Sequence, residues 1–412
     1  MAGAPLSGPL GRRVLFGALY FSEGAPIGYI WWAMPTKLRA AGMPVEQVGA
    51  LTAMLTLPWA LKFLWAPLVD GLRGPRWGLR SWVTLAQVLM GLTLLPLVAF
   101  PLEDLVAAAP ALLFAHAVFA ATQDVGIDAL AVRTLTHDER GRVTGWMQAG
   151  MLTSRAIFGG AILYTERWLG EGGAAALLIG CIWFSMVMLW CSPADVRPGG
   201  VAARERFGVL GRAIVRALGR SSTWLGVGIA LVAGAGFEAA GWGIGPMLID
   251  RGVEEAQVGL FRAAPVVGCM VVGALAGGWL ADRIGHRRLV VASVLAIAAS
   301  IGLLGGVDSA GASARALMVV ASVMYLFIGS LTASSYALFM DLSDPAIGGT
   351  QFSAFMSATN LCEVWAVAGA GLLVAGYGYG LAFLVPAGVS LLALPLVWML
   401  PERASPETCE SL

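Results

Sequence analysis

Apolar residues run along this chain in blocks of about twenty, separated by short clusters rich in arginine, glycine and acids. A block of that length, rising 1.5 Å per residue as a helix, crosses the roughly 30 Å hydrocarbon core of a bilayer. The pattern predicts twelve such spans, near residues 14–36, 47–69, 82–101, 105–131, 145–165, 174–191, 223–248, 258–281, 289–306, 316–340, 352–376 and 379–400. One polar stretch of any length, 192–222, falls near the middle. The expected organisation is an all-α integral membrane protein: a six-helix bundle over 1–191, a linker over 192–222, and a second six-helix bundle over 223–412 with a short tail. The first block follows Arg12 and Arg13 without a small-residue cleavage site, so it is read as a retained helix.

Composition removes the soluble alternatives. Hydrophobic residues make up 58% of the 412 positions and charged residues only 12%, about half the charge of a soluble domain. A nucleic-acid binder and a disordered chain are excluded on the same ground, and a net charge of +1 supplies no global steering field. The five cysteines are odd in number and form no CxxC pair, so no disulfide framework, metal or cofactor is expected. The basic residues set the orientation. Eighteen fall on the side of the termini and linker, among them Arg197 and Arg403, against five (Lys37, Arg39, Arg167, Arg251, Arg315) on the other. Positively charged loops stay cytoplasmic, so both termini are expected on the cytoplasmic side of the membrane.

The halves repeat. Asp70 closes span 2 ahead of Arg73, and Asp282 closes span 8 ahead of Arg283, Arg287 and Arg288, an offset of 212. Glu23 in span 1 answers Glu238 in span 7, and Arg155 in span 5 answers Glu363 in span 11. With six spans in each half, corresponding spans point the same way. Parallel repeats about an axis along the membrane normal imply alternating access to a central cavity.

A charge within a span is expensive and functional by default. Five are acidic (Glu23, Asp124, Asp128, Glu238, Glu363) and three basic (Lys62, Arg155, Arg262). Arg262 lies near the outer end of span 8, where it can snorkel to the headgroups. Asp124 and Asp128 are one helical turn apart and share a face, with His116 and Gln123 on or near that stripe. Two carboxyls that close do not ionise independently, and such a pair suits a proton relay. Asn360 precedes Glu363 by one turn, and Tyr325 sits in span 10. An acid beside arginines at a helix end makes a charge-assisted latch, expected here from Asp70, Arg73, Asp282, Arg283, Arg287 and Arg288.

The stretch Gly278-Trp279-Leu280-Ala281-Asp282-Arg283-Ile284-Gly285-His286-Arg287-Arg288 resembles the cytoplasmic loop signature of the major facilitator superfamily. Tyr20-Phe21-Ser22-Glu23-Gly24-Ala25-Pro26, Leu61-Lys62-Phe63-Leu64-Trp65-Ala66-Pro67 and Thr122-Gln123-Asp124-Val125-Gly126-Ile127-Asp128 resemble the AmpG-like muropeptide permeases. Similar patterns occur in acetyl-CoA transporters and in siderophore permeases of the pyochelin and rhizobactin type. The resemblance implies the major facilitator fold, with spans 1, 4, 7 and 10 lining a cavity. Glu23, Lys62, His116, Gln123, Arg155, Glu238, Tyr325, Asn360 and Glu363 are then expected at the cavity, and Asp124, Asp128 and Glu23 in proton coupling.

No HExxH, G-x-S-x-G or GxxxxGK[ST] is present, so neither a membrane enzyme nor an ATP-driven pump is expected. The expected function is a monomeric secondary transporter, importing a bulky polar or anionic solute such as an anhydromuropeptide together with protons. Siderophore import and drug or metabolite efflux are the alternatives. Its partners are a small-molecule substrate, the proton and the lipid bilayer, with no nucleic acid.

Overall fold

The computed structural model describes residues 6, 8–34, 45–100, 102–105, 107–193 and 203–401. Lys37, Arg39, Arg197 and Arg403, counted above for orientation, lie outside them. Among the described residues there is no strand.

Every expected span is occupied by helix. Span 1 is Pro9–Gly28, prolonged by a π turn over Tyr29–Ala33. Span 2 is Val45–Leu61, a 3-10 turn over Lys62–Leu64, and Ala66–Gly71. Spans 3 and 4 are Leu79–Ala99 and Ala109–Thr134. Span 5 starts as His137–Ala156 and runs through a π turn, Ile157–Ala161, into Ile162–Trp190, whose second part is span 6. In the second half, Ser221–Val232 and Ala235–Asp250 form span 7, and Glu255–Phe261, Arg262–Val266 and Val267–Ile284 form span 8. His286–Ser309 and Ala314–Leu342 are spans 9 and 10. Gly348–Ser390 holds span 11 and most of span 12, which ends in Ala393–Trp398. Nine helices among the described residues are long and apolar enough to cross a membrane.

The duplication reaches the backbone. Spans 5 and 6 part at Gly170 with φ 67, and spans 11 and 12 part at Gly378 with φ 78. These positions are 208 residues apart, the offset that relates Arg155 to Glu363. Left-handed φ carries no steric penalty only at glycine, so each half makes its last reversal with the same residue.

Among the described residues the halves close on each other at the end where the linker lies. There spans 5 and 8 pack backbone to backbone: a Cβ added at Gly145 would lie 2.6 Å from the carbonyl oxygen of Ala274. Thr144 Oγ1 donates to the Ala333 carbonyl across the same seam at 2.8 Å. One buried apolar cluster joins residues of both halves, including Leu15, Val132 and Met147 with Phe339, Phe352 and Phe355. At the opposite end Tyr29, Ile30, Leu55, Trp59 and Phe158 form a separate cluster confined to the first half. Phe184, Leu372 and Trp398 remain exposed on the outside, as side chains facing lipid do.

The linker is not only polar. Ala203–Leu218 is a helix, and Leu210, Ala213 and Ala217 bury their stripe against Ile347 of the span 10–11 connection. Leu210 and Phe207 also lie over Gly71 at the end of span 2. This helix therefore touches both halves.

Candidate functional site

The site begins with a proline. Pro67 has no N–H, and its ring clashes with the carbonyl four residues back, at Phe63. Span 2 unwinds into the 3-10 turn over Lys62–Leu64, and Trp65 Nε1 ties the break to Thr122 Oγ1 of span 4 at 3.2 Å. The unwinding aims Lys62 inward, where its ammonium pairs with Asp124 Oδ2 and lies 3.7 Å from Asp128 Oδ2. Lys62 is thereby on the site, away from either membrane face.

All three side chains are buried, at 3%, 5% and 0% exposure for Lys62, Asp124 and Asp128. Tyr20 of span 1 donates its hydroxyl to Asp128 Oδ1 at 2.5 Å. Glu23, one turn further along span 1, is buried with Oε2 unpartnered among the described residues. Three carboxyls and one ammonium from spans 1, 2 and 4 thus share one buried cluster. Tyr20 meets Tyr336 of span 10 edge-on at 6.5 Å, and Tyr336 meets Phe352 of span 11 at 5.7 Å. This aromatic row carries the contact from the acidic pocket into the second half. Tyr336 stands among the span 10 residues that a cavity-lining span 10 would contribute, whereas the role of Tyr20 was missed, although it stands in the motif that carries Glu23.

Counted at 1.5 Å per residue from the linker end, Asp128 and Asp124 lie about 9 and 15 Å deep, Glu23 about 21 Å, and Arg155, Glu238 and Glu363 about 22–27 Å. Arg155 is half-buried and within electrostatic reach of Glu23, Glu238 and Glu363. Among the described residues no ion pair joins it to any of them, and its Nε is unpartnered. A resting Arg155–Glu363 pair, which the pseudo-symmetry invites, is therefore absent in this state. Asn360 is half-buried one turn before Glu363 on span 11. Tyr325 is buried, with its hydroxyl 3.6 Å from where a Cβ at Gly241 of span 7 would stand. Arg262 is exposed and donates to the Gly241 carbonyl at 2.8 Å, one turn before Pro246 interrupts the hydrogen bonding of span 7.

Two expected cavity residues sit elsewhere. His116 is fully buried, with Nδ1 3.1 Å from both Met90 O and Thr93 Oγ1 of span 3. It belongs to the seam between spans 3 and 4, because its side of span 4 faces away from the carboxyls. Gln123 donates to Ser22 Oγ at 3.4 Å, beside Gln87, and fills the junction of spans 1, 3 and 4.

At the linker end two carboxylates cross the seam in matched fashion. Asp70 accepts from Thr350 N at 2.7 Å and Thr350 Oγ1 at 2.9 Å, and Arg133 lies 3.2 Å away. Asp282 accepts from Gly141 N at 2.7 Å, Arg142 N at 3.0 Å and Arg142 Nε at 2.6 Å. Thr350 and Arg142 are themselves 208 residues apart, so each half's aspartate grips the same backbone position of the other. A third carboxylate, Asp341, gathers Arg140 at 2.8 Å, His137 at 3.0 Å and His286 at 2.7 Å.

The latch arginines need correction. Arg73 donates to the Asp70 carbonyl within its own turn at 2.8 Å. Arg283 stacks on Trp279 of its own helix at 3.9 Å, Arg287 donates to Leu400 O of span 12 at 2.8 Å, and Arg288 is exposed. The bonds that cross the seam from Asp282 are made by Arg142 and backbone N–H groups, because the helix rotation turns its own arginines outward.

Comparison with known proteins agrees with this architecture. Residues 13–109 match the family described as acetyl-coenzyme A transporter 1, and residues 227–411 match the Major Facilitator Superfamily. The anhydromuropeptide permease of Escherichia coli K12 is 27% identical over 94% of this chain and 79% of its own length. AmpG 4 of Rickettsia conorii is 21% identical over 92% of this chain and 93% of its own. Among solved structures, the proton:xylose symporter XylE superposes with a TM-score of 0.70 at 13% identity, covering 95% of each chain. A bacterial homologue of the iron transporter ferroportin gives 0.70 at 14% identity, covering 95% of this chain and 99% of the other. The chain is thus a membrane transporter of the major facilitator superfamily, similar over nearly its whole length to the AmpG-like permeases.

Proposed function

We propose that the protein imports a bulky polar or anionic solute of the anhydromuropeptide kind, driven by the proton gradient, with both termini and the linker in the cytoplasm. On this reading the linker end is the cytoplasmic gate, and the structure is the state open to the opposite side. The observation that carries the reading is the buried pocket of Lys62, Asp124, Asp128 and Glu23. Three carboxylates against one ammonium leave surplus negative charge in a site that water does not screen. An isolated buried carboxylate costs far more than its protonated form, so a site with this surplus is suited to taking up protons.

Glu23 lies between this pocket and Arg155, so it receives protons from the open side and passes them toward Asp124 and Asp128. A proton arriving on Asp124 weakens its ion pair with Lys62, and the freed ammonium turns to Asp128. Asp128 then carries the ammonium on Oδ2 beside the Tyr20 hydroxyl on Oδ1, and any shift of Asp128 is felt through Tyr20 by Tyr336 of the second half. Proton loading is coupled in this way to the packing that holds the gate. The cargo binds between the halves, its anionic group on the fork of Arg155 and its polar groups on Glu238, Asn360 and Glu363. The E. coli relative named for anhydromuropeptides supports the cargo class, and eighteen basic residues on the linker side support the orientation.

The test is uptake into right-side-out and inverted vesicles, with anhydromuropeptide, siderophore and acyl-CoA-type cargoes, with and without a proton gradient. Accumulation of the first in right-side-out vesicles, abolished by a protonophore, is the expected result. Asp124→Asn is expected to lose gradient-driven accumulation and keep counterflow exchange. Normal accumulation by this variant removes Asp124 from the coupling.

A further inference from the structure

We propose that His137, His286 and Asp341 form a binding site for a divalent transition-metal ion of the zinc class, which locks the linker end shut. His137 belongs to span 5 of the first half, and His286 and Asp341 to spans 9 and 10 of the second. The three donor atoms lie within 4.8 Å of one another. His286 Nδ1 is 2.7 Å and His137 Nδ1 3.0 Å from the Asp341 carboxylate, and the two rings are 4.8 Å apart between centroids. Bonds of about 2.0–2.2 Å to a tetrahedral ion place its ligands about 3.5 Å apart. To reach that spacing the nitrogens part from the carboxylate by roughly half an ångström, and the widest donor pair, at 4.8 Å, closes by about 1.3 Å, a movement that rotation of the exposed His137 side chain supplies.

The donor set is the one that suits this class of ion. Two imidazoles and one carboxylate bind zinc, with water in the fourth position. The surroundings match as well. Asp282 Oδ1 stands 3.6 Å from His286 Nε2, on the far side of the ring from Asp341. A carboxylate on that side can accept from Nε2 when a metal displaces the proton from Nδ1, the outer-shell arrangement that orients ligating histidines. Arg140 donates to Asp341 Oδ1 at 2.8 Å, the oxygen that His137 also meets, so the ion takes Oδ2, beside His286, and the exposed His137 ring turns from Oδ1 toward it. His286 is 3% exposed, whereas the His137 side chain is 47% exposed and gives the ion access from solvent.

The consequence follows from where the ligands come from. They meet only while the halves are closed at this end, so the ion binds that state and not the open one. At a hundred times its Kd it favours the closed gate about a hundredfold. A metal ion on the linker side therefore slows transport without competing for the cargo cavity. The inference is independent of the cargo and of proton coupling, and rests only on the closed seam.

The experiment uses the full chain in nanodiscs, titrated with Zn2+ and with Co2+ as a spectroscopic probe, in a background lacking the five cysteines. One Zn2+ per chain and visible absorbance of four-coordinate Co2+ are expected. His137→Gln, at an exposed position where folding is not at risk, is expected to weaken binding by at least tenfold. Spin labels at exposed Trp77 and Arg288, one on each half, report the gate. Zn2+ is expected to narrow their distance distribution to the short component in the parent and to leave it unchanged in His137→Gln. Equal Zn2+ affinity in the two proteins, or binding that leaves the label distances unmoved, overturns the proposal.

Discussion

Replacing Lys62 by methionine keeps the length of the side chain and removes the one cation from the acidic pocket. The ammonium and its two partners are 0–5% exposed, so solvent does not take over the lost interaction. Breaking a buried pair by deleting one partner costs about 3–5 kcal/mol. Proton uptake by the stranded carboxyls lowers that cost, at about 1.4 kcal/mol for each pH unit of affinity they must gain. Lys62→Met is therefore expected to destabilise the protein by about 3 kcal/mol, and Lys62→Met with Asp124→Asn by at least about 2 kcal/mol less than the two single losses together. Asp128 lies at 3.7 Å and is already held by Tyr20 at 2.5 Å. Its coupling to Lys62 should therefore be weaker than that of Asp124. Reversible unfolding in mixed micelles, titrated with denaturing detergent, measures all the terms. A Lys62–Asp124 coupling below about 0.5 kcal/mol, or a stronger coupling to Asp128, would refute the pairing and the burial of the cluster.

Two further outcomes are expected. Gly145→Ala places a Cβ 2.6 Å from the Ala274 carbonyl oxygen, a contact that rigid backbones cannot absorb. It should wedge the linker end open, seen as faster alkylation of a cysteine introduced at Ala333, and an unchanged rate would mean that the seam yields elsewhere. Arg155→Lys keeps the charge and loses the planar fork, so the apparent transport constant for an anionic cargo should rise severalfold. With no ion pair to break in this state, its cost in stability should stay below about 1 kcal/mol, and a large loss would show that Arg155 is a structural pair member after all.

The spans were legible because a bilayer demands long apolar blocks, and the two halves because charged residues recur at fixed offsets. The helix Ala203–Leu218 was obscured by its arginines, although Leu210, Ala213 and Ala217 already fall at helical spacing on one face. Spacing along one helix brought Asp124 and Asp128 together correctly, since both stand on span 4. It is silent on Lys62, which reaches them from another span through a turn forced by Pro67. His116 shows the converse limit: a residue near the right stripe still faces span 3, because a few tens of degrees of helix rotation decide which neighbour it meets. The same limit applied to Asp341 and His137, which are 204 residues apart and stood in no motif.

Pseudo-symmetry misled at one place and can be read correctly from another. Arg155 and Glu363 are equivalent positions of two repeats, and equivalence was taken to invite contact. Positions related by a two-fold operator occupy matched sites in their own halves, and they touch only if they lie on the axis. The latch shows what the operator does specify. Asp70 grips Thr350, and Asp282 grips Arg142: each residue meets the equivalent of its counterpart's partner. Duplication therefore predicts paired interactions, two copies of one contact across the seam. Where one copy has changed chemistry, as at Arg133 and its equivalent Asp341, the contact must be rebuilt. Arg133 neutralises Asp70 directly at 3.2 Å. Asp341 instead faces Asp282 across His286, whose two ring nitrogens lie 2.7 and 3.6 Å from the two carboxylates. With an acid in place of an arginine, it is the His286 imidazole that stands between the two aspartates and joins them across the end of span 9.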